Sequence, residues 1–383
     1  MRPFTGQTHL LDETETARKI YGASATDLDI YDSQSDLFQQ RKKLVNLTTP
    51  LCDLLGVEHP VMLAGMGGVS YAEVCAAVSE AGGFGTLGMA SMPPDGIRDE
   101  MRRVKDLTDK PFGVDLLAAM PETLTRAVNI IIEEGAKAFI SGLGVPSPII
   151  GQLKEAGIVV ISMCGAVRHA IKSEAAGVDA IVAQGTEGGG HTGPIGGMAL
   201  IPQIVEAVSI PVVAAGGIVD GRGLAAALAM GAQGVWMGTR FIASVEAHAA
   251  EGYKQAIVDS RDSDTVVTRC YSGKPMRVIK NDYVADWESR PGDIQPFGEQ
   301  AQISVREGVL DSLRGFPGKF DPSRDAAAAG QSVGGIHDII PAGEIVRNVL
   351  EEAATTIARL SSIADGNYAP SPVQGSRGHA AAK

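Results

Sequence analysis

The chain has 383 residues, 44% of them hydrophobic and 20% charged, and a formal net charge of −12. This is the composition of a globular protein with one large domain and appendages, or two ordinary domains. The acidic balance excludes a nucleic-acid binder, which needs basic patches for phosphate, and no apolar run approaches the roughly 18–20 residues of a membrane span.

The N-terminus, MRPFTGQTHLLDETETARKI, shows no apolar core and no cleavage-like site, so no secretory signal is expected. Cys52, Cys75, Cys164 and Cys270 are far apart in sequence. They show neither metal-ligand spacing nor a disulfide framework, which fits a reducing cytoplasm. Cys164 reads as a buried, inert thiol.

Residues 1–44 are polar and charged, with one amphipathic stretch near Ser33–Leu44, and read as an N-terminal arm. From Thr48 the texture changes to short apolar runs alternating with Ala-rich stretches of helical spacing. The runs are PVMLAG (60–65), FGTLG (84–88), FGVDLL (112–117), AFISGL (138–143), VVISMC (159–164), AIVAQG (180–185), PVVAAGG (211–217) and GVWMGT (234–239). Continuous apolar strands suit a parallel sheet buried on both faces. The spacing of roughly 20–30 residues fits strand–helix crossovers. Eight such units, with the segment after Thr239 as the last, predict a (β/α)₈ TIM barrel over 45–250. An irregular stretch, 251–325, reads as a small, mostly helical cap domain. Residues 326–364 read as a C-terminal segment and a long amphipathic helix that packs on the barrel, with Pro341 near its start. The tail, 365–383, reads as disordered.

The glycines discriminate between a barrel and an open dinucleotide-binding sheet. In GGFG (82–85) the helix comes first and the glycines lead into a strand, the reverse of a Rossmann fingerprint. Other glycines directly follow strands: AGMGG, QGTEGGG, AAGGI and MGTRF. In a parallel barrel those ends share the face that carries the active site. Gly216, Gly217, Gly238 and Thr239, after the seventh and eighth strands, offer backbone N–H groups with little side chain in the way. A short helix from about Arg240 would add its positive end, which makes a phosphate cradle. His191 stands in the glycine-rich loop after the sixth strand, where a backbone with few side chains lets ligands approach closely. Its ordinary pKa near 6.5 suits acid–base work. Glu187 reads as a solvated loop charge, and His169 with Lys172 as one polar helix face. His191 has no His or Cys partner nearby, so no metal site is expected.

These residues resemble the nitronate monooxygenase (2-nitropropane dioxygenase) family of FMN-dependent barrels over about 48–360. The resemblance rests on PVMLAGMGG, AGGFGTLG, PFGVDLL, AQGTEGGGHTG, PVVAAGGIVDGRG, GAQGVWMGTRFIASVE and AGQSVGGI. Flavin-dependent enoyl-acyl-carrier-protein reductases share nearly all of these, including a stretch like GKPMRVIKN in the cap. Certain flavin-dependent NADH:quinone reductases share a segment like CGAVRHA.

The resemblance implies that the backbone of Ala64, Gly65 and Met66 lies against the flavin ring. Gln184 and Gly185 would contact the cofactor, and Gly190 would let His191 approach it. Gly216, Gly217, Gly238 and Thr239 would hold the FMN phosphate, and Gln331 would come in from the C-terminal segment. Asp115 occupies a position where the family usually has Asn or Gln, and an ionised acid there would repel a reduced, anionic flavin. The implied activity is oxidation of alkyl nitronates or nitroalkanes with oxygen, with His191 as base or substrate-binding group. The alternative is NAD(P)H-dependent reduction of an enoyl thioester or a quinone. Expected partners are a small-molecule substrate and, through the N-terminal arm, a second subunit in a homodimer.

Overall fold

The computed structural model describes residues 47–90, 92–118, 121–316 and 320–366. The predicted N-terminal arm and almost all of the tail lie outside them. Eight parallel strands form one sheet: β1 (Val61–Leu63), β2 (Gly85–Gly88), β3 (Phe112–Leu117), β4 (Ala138–Gly142), β5 (Val159–Cys164), β6 (Ala180–Gln184), β8 (Val212–Ala215) and β9 (Gly234–Met237). Their order is β1-β9-β8-β6-β5-β4-β3-β2. The sheet closes between β1 and β2 through the parallel bridge Met62–Phe84. There Leu63 N–H donates to Phe84 O and Phe84 N–H to Val61 O, both at 2.9 Å. The eight apolar runs are therefore the eight barrel strands, nearly every residue of them buried because helices cover the outside and side chains fill the inside.

The barrel interior is packed with Met62, Phe84, Ile140, Ile161, Val182, Val213 and Trp236. Leu51 and Leu55, on the short helix α1 (Pro50–Leu55), join this cluster. Thr49 Oγ1 ties α1 to the strand preceding loop by donating to Gln233 O at 2.6 Å. The outer helices are α2 (Ala72–Glu80), α3 (Pro94–Leu107), α4 (Pro121–Glu133), α5 (Ile150–Glu155), α6 (Val167–Ala175), α7 (Gly197–Ala207) and α8 (Gly221–Ala229). The GGFG glycines do structural work. Gly82 turns the chain after α2 at φ 82°, and a Cβ at Gly85 would sit 2.1 Å from Cys75 O of that helix.

One expectation needs correction. The segment after Thr239 does not form the eighth outer helix: α9 (Thr239–Ile242) is a single turn. The eighth helix is α13 (Ala342–Ala364), which packs on α8 and α2. Its approach to α8 is close enough that a Cβ at Gly221 would fall 2.2 Å from Ala353 N. The cap is thus an insertion between a barrel strand and its own helix. The cap is mostly helical, and it also carries a short antiparallel sheet against the barrel. It contains α10 (Glu251–Asp259), α11 (Asp282–Glu288) and α12 (Glu299–Arg306), but also a hairpin of β10 (Thr265–Thr268) and β11 (Met276–Ile279). The hairpin adds a third strand from the barrel, β7 (Gly190–His191), in the order β10-β11-β7. The β-branched pairs in TVVT and MRVI, separated by a Gly-containing turn, are the local reason.

Candidate active site

The C-terminal ends of the barrel strands open into a cavity of about 780 Å³, within the ~300–1,000 Å³ usual for small-molecule and cofactor sites. Of the residues singled out from the sequence, Ala64, Gly65, Met66, Asp115, Gln184, Gly190, His191, Gly216, Gly217, Gly238 and Thr239 all line it. Gly185 and Gln331 do not. Gly185 is buried below the loop, where a Cβ would meet Glu187 Oε2 at 2.2 Å. Gln331 points its exposed side chain away, and its N–H donates to Glu187 O at 2.9 Å. Its neighbours Gly330 and Ser332 line the cavity instead.

The loop bearing His191 is far more constrained than its glycine content suggests. His191 pairs with Met276 and Gly190 with Arg277 across the cap hairpin. Gln184 Nε2 donates to His191 O at 2.8 Å from the barrel side. Thr192 N–H donates to Pro275 O at 3.2 Å. Barrel and cap therefore hold the imidazole between them. Its Nε2 lies 2.9 Å from Ser272 Oγ of the cap, and Phe297 meets the ring edge-on at a centroid distance of 6.0 Å. Burial, then the charge of Lys274, pulls the His191 pKa down to about 4. The ring is neutral at physiological pH, with Nδ1 the nitrogen left for a ligand. Ser272 and Lys274 escaped the sequence reading as site residues, although they adjoin and open the GKPMRVIKN stretch that it noted.

Glu187 is not a solvated loop charge. Its two carboxylate oxygens both accept from Gly197 N–H at 2.9 Å, capping α7 at the end where a negative charge is favoured. This fixes the loop that carries Gly188 and Gly189 along the cavity wall.

Asp115, at β3, is buried, and its Oδ1 has no hydrogen-bond partner among the described residues. Burial pushes its carboxyl well above the ordinary value, which favours the neutral acid. In that neutral form it would not repel a reduced, anionic flavin. Gly65 is what admits it: a Cβ there would lie 2.2 Å from Asp115 Cβ.

The four residues expected to hold a phosphate stand together on the cavity wall. Gly216 and Gly217 adopt φ 97° and 74°, which exposes their backbone to the cavity. Gly238 and Thr239 stand beside them, and Thr239 Oγ1 accepts from Gly330 N–H at 2.9 Å. Because α9 has only four residues, its dipole is small, and individual N–H groups rather than a helix field would carry an anion. On the ring side, Ala64 N–H is spent on Met237 O and Met66 N–H on Ser70 Oγ, at 2.9 and 2.7 Å. These two residues can offer a ligand their surface and not their N–H groups. The remaining wall includes Leu143, held at φ 53° after β4. A branched side chain in this region stores strain, and such positions cluster at functional sites. Among the described residues no group of His, Cys, Asp and Glu is arranged to hold a metal, and no helix is long and apolar enough to cross a membrane.

The chain is an oxidoreductase by family, and its parallel barrel gathers a glycine-lined wall, a buried acid and one clamped imidazole at one open face. The chain belongs to the nitronate monooxygenase family, whose model matches residues 48–352. It is 36% identical over 356 residues to a Mycobacterium tuberculosis protein named (3aS,4S,5R,7aS)-5-hydroxy-7a-methyl-1-oxo-octahydro-1H-indene-4-carboxyl-CoA dehydrogenase, covering 84% of this chain and 100% of that one. It is also 36% identical over 306 residues to a probable nitronate monooxygenase of Staphylococcus saprophyticus, covering 68% of this chain and 86% of the relative. Among solved structures it is similar to FabK from Thermotoga maritima, with a TM-score of 0.75 and 38% identity over 82% of this chain and 99% of FabK.

Proposed function

We propose that the protein is an FMN-dependent oxidoreductase acting across the Cα–Cβ bond of an acyl thioester of the coenzyme A class, with His191 holding the thioester carbonyl. The cavity fits FMN on its own features. Gly216, Gly217, Gly238 and Thr239 would hold the phosphate, while Gly65, Gln184 and the neutral Asp115 would face the ring. FMN, when bound, supplies two-electron hydride chemistry, and NAD(P)H, NAD(P)⁺ or oxygen is the second redox partner.

The neutrality of His191 carries the choice of substrate. An imidazole whose pKa lies at about 4 is too weak a base for carbon acids at neutral pH. It is a good neutral hydrogen-bond donor, and a neutral imidazole can polarise a carbonyl as an electrophile. In the tautomer that carries its proton on Nδ1, Nε2 accepts from the Ser272 hydroxyl, and the Nδ1 proton is available to a carbonyl oxygen. Polarising an enoyl thioester carbonyl activates Cβ towards hydride, and Cα then takes its proton from solvent; the reverse, desaturation, would also need a base for the Cα proton, and His191 is not that base. The full-length match to a carboxyl-CoA dehydrogenase supports this reading.

Oxidation of an alkyl nitronate with oxygen is the second reading. The family match and the S. saprophyticus relative support it, and so does the positive charge of Lys274 beside His191, which would hold an anionic nitronate. The same neutral His191 argues against a neutral nitroalkane, which needs a base. The test is the spectrum of the purified protein, followed by anaerobic mixing with NADH, NADPH, propionate 3-nitronate and acyl-CoA thioesters in parallel. Bleaching by a nicotinamide and reoxidation by an enoyl thioester is the expected result. Bleaching by the nitronate alone would establish the second reading, and a protein that takes up no FMN would end both.

A further inference from the structure

One lobe of the cavity is not used by the reaction described above. It lies beyond the end of β5, where α6 begins, and Arg168, His169 and Lys172 line it. Lys274, from the cap, lines the same cavity. The chain as a whole has a net charge of −12, so a gathering of positive side chains at one opening is a local feature and not a consequence of composition.

Three observations show that this charge is uncompensated. Arg168 and Lys172 are exposed and take part in no ion pair among the described residues. The first turn of α6 contains no acidic residue, although acids are favoured there and cations are not. The pKa of His169 is lowered by burial and then by the charges of Arg168 and Lys172 themselves. Arg168, in the first turn, is at the end that disfavours cations, and Lys172, four residues on, is a like charge on the same face, an arrangement that costs stability unless an anion joins them. Lys274 is likewise without a carboxylate partner, its ammonium lying 4.1 Å over the Phe297 ring.

We infer that Arg168 and Lys172, with Lys274 from the cap, form a landing site for the phosphates of an adenine nucleotide that carries the reacting group, and that this nucleotide is coenzyme A. The inference rests on the thioester reading for its choice of nucleotide. A nicotinamide dinucleotide presents the same pyrophosphate chemistry and is the other source the experiment separates. The geometry suits a long carrier: its phosphates bind at the opening, in water, where mobile cations are effective, while the reacting end reaches His191 inside. Phosphate groups at such a site bind largely through charge, so salt weakens them.

The test is titration of the FMN-loaded, full-length protein with coenzyme A and, separately, with NADPH, at low and high salt. The variants are Arg168→Ser/Lys172→Ser and the charge-preserving Arg168→Lys. Coenzyme A is expected to bind the wild type, with a Kd at least tenfold higher in the double variant, a weaker salt dependence there, and a change of less than about threefold in Arg168→Lys. FMN content and melting temperature serve as the fold controls. A loss of NADPH affinity with coenzyme A unaffected would keep the phosphate site and assign it to the dinucleotide. Unchanged affinity for both ligands in the double variant, or no binding of either to the wild type, would overturn the inference. A protein that binds coenzyme A through these residues but turns over no thioester would instead sink the proposed reaction and leave the site standing.

Discussion

Replacing Asp115 with Asn tests the electrostatics of the cavity wall directly. Asp115 is buried with Oδ1 unpartnered, and burial alone raises its pKa well above the ordinary value. In the unfolded chain its carboxyl ionises near pH 3.9. Above that pH the unfolded state has lost a proton that the folded state keeps, so stability falls as pH rises until the folded pKa is passed. The slope is about 1.4 kcal/mol per pH unit for this one group. Asn has nearly the same shape and no proton to lose, and the missing Cβ at Gly65 leaves room for either. In FMN-free protein unfolded by urea at pH 5, 6, 7 and 8, the stability of Asp115→Asn relative to wild type should climb by about 1.4 kcal/mol per unit. From pH 5 to pH 7 this amounts to about 3 kcal/mol, provided the native carboxyl stays protonated. All other titrating groups cancel in the difference. A difference that stays flat from pH 5 to pH 8 would mean that Asp115 is ionised in the folded protein, and the account of a neutral acid beside the cofactor would fail.

His191→Asn should leave a folded protein with full FMN content but lower kcat by about 100-fold or more, the usual cost of one lost donor to a developing oxyanion; normal turnover would remove His191 from the mechanism. Since the neutral ring is the working form and its pKa lies at about 4, the acid limb of kcat/KM in the wild type should appear near pH 4, and a limb near 6.5 would show that the imidazole is not desolvated as described. Gly217→Val places a β-branched residue at φ 74°, strained by about 1–3 kcal/mol, and should weaken FMN binding at least tenfold by equilibrium dialysis; unchanged flavin content would displace the phosphate cradle. On the outer surface, Glu134 accepts from Arg98, Arg102 and Lys105, and these contacts hold its carboxyl down to about 2. Glu134→Gln should therefore cost about 1–2 kcal/mol at pH 7, after screening of partly exposed cations, and the cost should fade as pH falls from about 5 towards 2. Chemical denaturation at pH 7 and pH 3 measures it.

Much of this protein was determined by local sequence. Eight apolar runs bounded by glycines specify eight buried parallel strands, because only a sheet covered on both faces tolerates continuous apolar segments. Glycine placed after a strand, and not before one, specifies which barrel face stays open to a ligand. With the family resemblance, which supplied residues such as Asp115 and Gln184, those patterns led to thirteen expected site residues, of which eleven surround one cavity. What the sequence could not decide depends on segments distant in the chain. Ser272 clamps His191 across 81 positions, and the eighth barrel helix arrives after the whole cap has intervened. Asp115 reads as an ordinary charge until Gly65 and the barrel wall exclude water from it. Glu187 reads as a loop charge until α7 turns its first N–H groups towards it. In each case residue type set what chemistry was available, and only the three-dimensional neighbourhood set the protonation state, because desolvation and partner distance are properties of the folded chain and of no window along it.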